Sequence, residues 1–286
     1  MFIIFGSPRS GTTICAQTLS AHPDITVPNE TDFIVPMVFI YTRIPSPDLG
    51  KAMIADLIVN SHAFQNSIGK YLQPIQVREL VTECNYHPTQ ILTALYDQIA
   101  AASGAQLAGD KSPNDLDFIK ILVESESIAG IKVVHLVRDV RDMMVSLRQT
   151  GWLPDADEYF PRLWASNNLY LYTKYKHQPD DYLLIRYEDM VRKPAEVFKG
   201  ICTFLGVLYR AEILDPAMRP ARHQDRTNLQ KPFYTSRTNV YKSSLEKHDI
   251  ANYERQAGEA LETFGYPLEL GSRSFKNVFT RLMRYR

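Results

Sequence analysis

The sequence predicts an α/β protein of three layers, α/β/α, with a central, mostly parallel sheet and a helical insertion. Short apolar runs alternate along the chain with segments in which apolar residues have helical spacing, and this alternation is typical of βα units. Polar clusters follow several of the runs, where the ligand sites of such sheets lie. No internal repeat or linker interrupts the chain, so we predict a single domain over residues 1–286.

Five short, mostly apolar runs bounded by turn residues predict the strands. Apolar residues at successive positions indicate strands that are covered on both faces. The runs lie at Phe2–Phe5, Ile25–Val27, Gln106–Ala108, Ile131–Val137 and Tyr182–Ile185.

Helices are predicted where apolar residues recur at helical spacing. The first follows the first strand and runs through Leu19, with Ser10 or Thr12 expected to cap it. Residues 33–85 contain three prolines between stretches of mixed helical pattern, and we predict an irregular, mostly helical insertion there. The other predicted helices contain Ile91 to Ile99 or lie at 115–125, Asp139–Gln149, Glu158–Lys176 and Pro194–Leu205.

The charge balance bounds the possible partners. The chain has 32 Lys+Arg and 32 Asp+Glu, a formal net charge of zero, which argues against a broad nucleic-acid-binding surface. Residues 271–286 contain five basic residues and no acidic ones, so residues 1–270 hold 27 basic and 32 acidic groups. A polyanion would therefore be bound through locally placed cations, against the field of the main body.

The loop Gly6-Ser7-Pro8-Arg9-Ser10-Gly11-Thr12-Thr13 is predicted to bind an anion. It follows a strand and opens a helix, a position in which backbone amides and the helix dipole face a negative group. Its spacing matches the P-loop frame G-x-x-x-x-G-K-[ST], except that Thr12 replaces the lysine and Arg9 supplies a cation inside the loop. The predicted fold is therefore P-loop-like. The alternative is a βα turn whose glycines serve geometry alone.

A second candidate anion site begins at the end of the strand Ile131–Val137. Arg138 stands at the strand end, where an arginine suits bidentate recognition of a phosphate. Ser146 lies eight residues later in the following helix, so the two side chains meet only if the intervening turn folds back. The alternative is a salt bridge from Arg138 to Asp139 or Asp142.

These two segments resemble the sulfotransferases that use 3′-phosphoadenosine 5′-phosphosulfate (PAPS). In that family a P-R-S-G-T-T-type loop holds the 5′-phosphosulfate, and an R-x-x-[RK]-D-x-x-x-S element holds the 3′-phosphate. Pro8–Thr13 and Arg138–Ser146 match these elements, and the loop is more similar to those of the tyrosylprotein and bacterial branches. The resemblance implies that PAPS is bound by Pro8, Arg9, Ser10, Gly11, Thr12, Thr13, Arg138 and Ser146.

Other positions also resemble the tyrosylprotein branch. Glu30 stands 21 residues after Arg9, where that branch has its proposed catalytic glutamate, and Lys111 begins a K-S-P element similar to the family's K-D-P-like one. The resemblance implies Glu30 as general base, with Arg9 and Lys111 stabilising charge on the sulfuryl group. Tyr187, in an R-Y-E-D strand end, and Lys242, in a segment similar to the family's late loop, are expected to contact PAPS.

The reaction implied by the resemblance leaves 3′-phosphoadenosine 5′-phosphate (PAP) and needs no metal. The acceptor carries a hydroxyl group and is a carbohydrate, a lipid, a small metabolite or a peptide tyrosine. We expect no nucleic-acid partner and no transmembrane segment, and the sequence does not indicate the oligomeric state. Three widely spaced cysteines and an N-terminus unlike a signal peptide predict a cytoplasmic location.

Two other functions and a second choice of base stay open at this point. A nucleotide kinase or NTPase would use the same glycine loop, although Thr12 stands where it needs lysine. A non-catalytic nucleotide-binding protein would keep the fold, although binding alone does not require Glu30 and Lys111. Cytosolic sulfotransferases use a histidine base, so one of three histidines is an alternative to Glu30: His22, His62 or His87.

Overall fold

The computed structural model describes residues 1–28, 30–151, 153–220 and 227–270. They group into two compact units, the first formed by residues 1–138 and 170–235 and the second by residues 139–169 with those from 236 onward. The single domain stays a prediction, and the basic segment 271–286 lies outside the described residues. No helix in the described part of the chain is long and apolar enough to cross a membrane.

The first unit contains a five-stranded sheet in the order β2-β3-β1-β4-β5, and all neighbouring strands pair in parallel. The strands are β1 (Phe2–Phe5), β2 (Ile25–Thr26), β3 (Leu107–Lys111), β4 (Lys132–Val137) and β5 (Tyr182–Arg186). The chain passes from β1 to strands on one side of it and then to strands on the other. The carboxyl end of β1 is therefore a switch point of the topology, where ligands bind in such sheets.

Helices form most of the remaining structure. In the first unit they are α1 (Thr12–Ser20), α2 (Ile34–Arg43), α3 (Pro47–Asn60), α4 (His62–Asn66), α5 (Pro74–Glu83), α6 (Pro88–Ser103), α7 (Ile119–Glu124), α10 (Tyr187–Arg192) and α11 (Pro194–Leu205). The second unit contains α8 (Val140–Thr150), α12 (Tyr241–Ser244) and α13 (Lys247–Thr263), and α9 (Ala156–Tyr175) contributes to both units. Short 3-10 helices lie at Ile68–Lys70, Pro113–Phe118, Ala211–Leu214, Pro216–Met218 and Thr227–Gln230.

Both faces of the sheet are covered, as the apolar strands predict. Ile3 and Phe5 of β1 belong to a buried cluster with the insertion helices, and Phe2 and Ile4 belong to another with α1 and α11. Successive strand residues point to opposite faces, so the two clusters form two separate layers on the sheet. The three-layer prediction is confirmed.

Several details of the predicted elements differ from the structure. The third strand does not end at Ala108 but continues to Lys111, because Gly109–Lys111 pair with Phe2–Ile4 of β1. A Cβ atom at Gly109 would lie 2.3 Å from the Phe2 ring, so the glycine permits this close pairing. The insertion is more regular than predicted, with α2 to α5 separated by short turns, and α10, α12 and α13 are additional helices that the sequence did not indicate.

Candidate active site

The Gly6–Thr13 loop lies at the switch point, directly after β1. Helix α1 begins at Thr12, and Gly11 precedes it with φ 99° and no side-chain cap. The expected capping by Ser10 or Thr12 is therefore wrong. The first amides of α1 have no such acceptor, which suits an anion from outside the protein.

Steric constraints hold this loop against its neighbours. A Cβ atom at Gly11 would lie 2.6 Å from Cδ2 of Tyr187, and one at Gly6 would lie 2.6 Å from the carbonyl oxygen of Leu136. Arg9 has φ 71°, which is unusual for a residue that is not glycine.

The Ser10 hydroxyl is buried without a hydrogen-bond partner among the described residues. Such an orphaned group beside open helix amides fits the predicted anion site.

Arg138 links the end of β4 to this loop. Its Nη1 donates a hydrogen bond of 2.8 Å to the backbone carbonyl of Arg9, and its guanidinium lies 4.4 Å from the centre of the Tyr187 ring. Tyr187 begins α10 and is buried beneath Arg138 and Gly11. The structure therefore brings together three of the predicted site residues: Arg9, Arg138 and Tyr187.

Lys111 is the last residue of β3 and is buried. Its side chain is 3% exposed. In the sheet it pairs with Ile4, whose side chain packs in the cluster that contains Cys15 and Leu19 of α1. Paired residues of adjacent strands share a face, so Lys111 lies on the same face of the sheet as the helix that follows the anion loop.

Glu30 follows β2 and forms an ion pair with Lys111, in which Lys111 Nζ donates to Glu30 Oε1. The two side chains differ in environment, because the Glu30 side chain is 45% exposed whereas that of Lys111 is buried. A carboxylate open to solvent is accessible to an acceptor hydroxyl. A buried ammonium has few competing water molecules and stabilises nearby negative charge more strongly.

A buried hydrogen-bond network lies next to this ion pair. The Thr31 hydroxyl donates to Asp110 Oδ1 at 2.7 Å, and the Tyr96 hydroxyl donates to the same oxygen at 2.5 Å. The Ser112 hydroxyl accepts a hydrogen bond from the Thr31 amide and donates to the Thr31 carbonyl, both at 3.1 Å. The sequence interpretation missed Asp110 and Tyr96, since an acidic residue after a short apolar run is typical of a loop.

Two carboxyl groups near this network have raised pKa values. Burial raises the pKa of Asp110, although hydrogen bonds from Tyr96 and Thr31 oppose the shift. Burial raises the pKa of Asp115 well above its usual value, and the nearby charges of Asp110 and Asp32 add to the effect. In Asp115, Oδ2 is buried and has no hydrogen-bond partner in the described part of the chain.

The remaining predicted site residues lie in the second unit. Ser146 is half-buried in α8, and Lys242 of α12 forms an ion pair of 2.7 Å with Glu269. Asp139, an alternative partner of Arg138, caps α8 and accepts hydrogen bonds from the Arg141 guanidinium. The role of Ser146 and Lys242 in binding PAPS stays a prediction.

The histidine alternatives to Glu30 have other environments. His22 is buried, with its Nε2 2.7 Å from the Leu208 carbonyl and its Nδ1 accepting from the Asp24 amide. His62 begins α4, and His87 precedes α6 with its ring against that of Tyr41. Within the residues that the structure describes, no group of three or more His, Cys, Asp or Glu side chains could hold a metal ion.

Comparison with known proteins gives a family match. A sequence profile described as the Sulfotransferase family matches residues 2–211, well over half of the chain. A search of curated proteins found no match.

Solved structures with similar folds include three sulfotransferases. The sulfotransferase domain of the Synechococcus PCC 7002 olefin synthase matches with a TM-score of 0.64 and 23% identity, over 94% of this chain and 95% of that chain. The sulfotransferase domain from the curacin biosynthetic pathway gives 0.61 and 21%, over 94% and 98%. A sulfotransferase from Mycobacterium avium gives 0.50 and 15%, over 94% and 77%. These matches confirm the P-loop-like α/β fold.

Proposed function

Because the chain belongs to the sulfotransferase family, we propose that it transfers the sulfuryl group of PAPS to a hydroxyl acceptor, with Glu30 as general base. Sulfuryl transfer itself follows from the family, and the protein is a transferase. The observation that carries the proposal is the ion pair between exposed Glu30 and buried Lys111, next to a glycine loop suited to an anion. It supports an acid–base role for one group and charge stabilisation by the other.

The residues present have the chemistry that PAPS needs at its sulfate end. The loop offers the first amides of α1 and the cation of Arg9, and the buried Ser10 hydroxyl adds a further hydrogen-bonding group. Together with Pro8, Gly11, Thr12 and Thr13, these residues are proposed to hold the 5′-phosphosulfate. Helix amides and an arginine neutralise such a group without a metal ion.

The other half of the donor is assigned by the resemblance and by the position of Arg138. Arg138 and Ser146 are proposed to bind the 3′-phosphate, and Tyr187 and Lys242 to make further contacts with the nucleotide. The hydrogen bond from Arg138 to the Arg9 carbonyl supports this assignment, because it connects the proposed 3′-phosphate ligand to the loop that holds the 5′ end.

In the proposed reaction, Glu30 accepts the proton of the acceptor hydroxyl as its oxygen forms a bond to sulfur. The bond between sulfur and the bridging oxygen breaks, and its electron pair leaves with PAP. Lys111 and Arg9 stabilise the charge that develops on the bridging and sulfuryl oxygens. Because Lys111 Nζ donates a hydrogen bond to Glu30 Oε1, the same cation also holds the base at the proposed site of transfer.

Family membership favours sulfuryl transfer over the kinase or NTPase alternative. The acceptor is proposed to be any of four hydroxyl-bearing classes: carbohydrate, lipid, small metabolite or peptide tyrosine. A cytoplasmic location stays a prediction.

Calorimetric binding of PAP, ADP and ATP with Mg²⁺ tests the proposed donor. We expect PAP to bind more tightly than either of the others, because only PAP carries the 3′-phosphate that Arg138 is proposed to recognise. Tighter binding of ATP with Mg²⁺ would contradict the proposal. Incubation with ³⁵S-labelled PAPS and representatives of the four acceptor classes then identifies the acceptor from the labelled product.

A further inference from the structure

A set of four buried residues joins the two chain segments that carry Glu30 and Lys111. We call Thr31, Asp110, Ser112 and Tyr96 the brace. We propose that the brace positions Glu30 against Lys111 for sulfuryl transfer, so that Thr31 and Asp110 are positioning residues of the reaction. This inference rests on the proposed function, because it assigns a role relative to the proposed base and the proposed stabilising cation.

The two segments lack strand pairing at the point where the ion pair forms. Strands β2 and β3 pair at two positions only: Ile25 pairs with Leu107, and Thr26 pairs with Ala108. Glu30 lies four residues beyond the end of that ladder. Side-chain hydrogen bonds therefore replace backbone pairing here, and the Ser112 hydroxyl bonds both the amide and the carbonyl of Thr31.

The brace and the ion pair are formed by residues that are adjacent in the chain, and on β3 these residues lie on opposite faces of the sheet. Asp110 pairs with Ile3 and Lys111 pairs with Ile4, and these two β1 residues belong to the clusters on opposite faces of the sheet. Thr31 contacts Asp110 as its neighbour Glu30 contacts Lys111. Because neighbouring residues are joined covalently, fixing the first contact limits the positions open to the second.

The two contacts differ in burial, which indicates that the Thr31–Asp110 contact limits the position of Glu30 and not the reverse. Thr31 is 7% exposed and Asp110 is 1% exposed, whereas Glu30 is 45% exposed. Buried hydrogen bonds hold their geometry, whereas the exposed Glu30 carboxylate is hydrated and keeps more freedom to move, although its partner Lys111 is buried. Tyr96 of α6 anchors Asp110 through a hydrogen bond of 2.5 Å, so α6 holds the brace in place.

The variant Thr31→Val tests the role, because it removes the hydroxyl and nearly keeps the volume. The assay is release of labelled sulfate from ³⁵S-PAPS without added acceptor, in which water takes the place of the acceptor hydroxyl. We expect kcat to fall about 10- to 100-fold, since a shift of about 1 Å in a reacting group costs that much. The KM for PAPS and the Kd of PAP should change little, because the hydrogen bonds described for the brace join its members to one another and not to Gly6–Thr13.

Two matched variants separate positioning from stability. Thr31→Ser restores the hydroxyl and should recover most of kcat. Thr26→Val removes a buried threonine hydroxyl from the same segment, one that donates to Ser103 Oγ at 2.8 Å, and it should lower Tm without lowering kcat. Asp110→Asn keeps an oxygen acceptor for Thr31 but loses the charge, and we expect a smaller loss of kcat than in Thr31→Val.

The possible results distinguish failure of this inference from failure of the proposed function. If the wild-type protein neither binds PAP nor releases sulfate, the proposed function is wrong and the inference falls with it. If the wild type is active and Thr31→Val keeps its kcat while losing as much Tm as Thr26→Val, the brace is structural and the inference alone is overturned. A loss of kcat that Thr31→Ser rescues supports it.

Discussion

Replacing Gly11 with alanine tests whether the anion loop is held rigidly against Tyr187. Gly11 has φ 99° and would place a Cβ atom 2.6 Å from Cδ2 and 3.0 Å from Cε2 of that ring. The left-handed conformation costs a residue other than glycine about 1–2 kcal/mol. Overpacking of a filled site costs about 1–3 kcal/mol more. We therefore expect Gly11→Ala to reduce the free energy of unfolding by about 2–5 kcal/mol.

Gly104→Ala is the matched control, because Gly104 also has a positive φ, 71°, but an added Cβ would meet nothing within 4 Å. It should therefore lose only the conformational part, about 1–2 kcal/mol. The difference between the two variants isolates the steric contact, about 1–3 kcal/mol, or a difference in Tm of about 2–12 °C for a protein of this size. Thermal unfolding measures both, and calorimetry should show a weaker affinity for PAP in Gly11→Ala alone.

Equal losses of Tm in the two alanine variants would refute this reasoning, because they would show that the loop moves away from the ring at little cost. A double-mutant cycle with Tyr187→Leu gives a further check. If the clash with the ring causes the loss, Gly11→Ala should be less harmful in the Tyr187→Leu background.

Three further predictions concern single side chains. Glu30→Gln should lower kcat for sulfate release from PAPS by about 10²- to 10⁴-fold while PAP binding survives, and an unchanged kcat would assign the base elsewhere. Arg138→Ala should raise the Kd of PAP about 10- to 100-fold more than the Kd of AMP, which lacks the 3′-phosphate, because a hydrogen bond to a charged group contributes about 1.5–3 kcal/mol. Equal losses of affinity for the two nucleotides would make Arg138 purely structural. Burial raises the pKa of Asp115 in the folded protein. As the pH rises, this carboxyl group therefore ionises in the unfolded chain before it ionises in the folded protein, and the free energy of unfolding of the wild type falls. Asp115→Asn should therefore gain Tm relative to the wild type between pH 4 and pH 7, and a difference that does not vary with pH would contradict this.

Local patterns in the sequence were sufficient for much of the fold. Phe2–Phe5 is a strand in both the prediction and the structure, because a run of only four apolar residues that ends in a glycine loop is too short for most other regular structures. The anion loop was recognisable for the same reason, since its residue types and its position between strand and helix lie within eight residues. The helix Pro194–Leu205 also agrees, with proline at its start and Gly206 after its end.

Long-range pairing explains most of what the sequence did not indicate. Nothing local shows that Gly109–Lys111 continue β3, because that extension depends on pairing with Phe2–Ile4, more than a hundred residues away in the chain. Likewise, Asp110 is a buried acceptor only because Tyr96 and Thr31 reach it from a helix and a loop. The Glu30–Lys111 contact joins residues 81 positions apart. The family resemblance identified both residues, but no spacing showed that they touch.

The strand order also indicates how a polyanion would be bound despite the acidic excess of residues 1–270. Lys111, the loop with Arg9, and Arg138 follow β3, β1 and β4, which are neighbours in the sheet. Adjacent strands lie about 4.8 Å apart, so the three strand ends span roughly 10 Å, close to the Debye length of about 8–10 Å in physiological salt. We therefore expect the three cations to act together on one anion bound at these strand ends. Affinity for an anion at this site should follow from that placement and not from net charge.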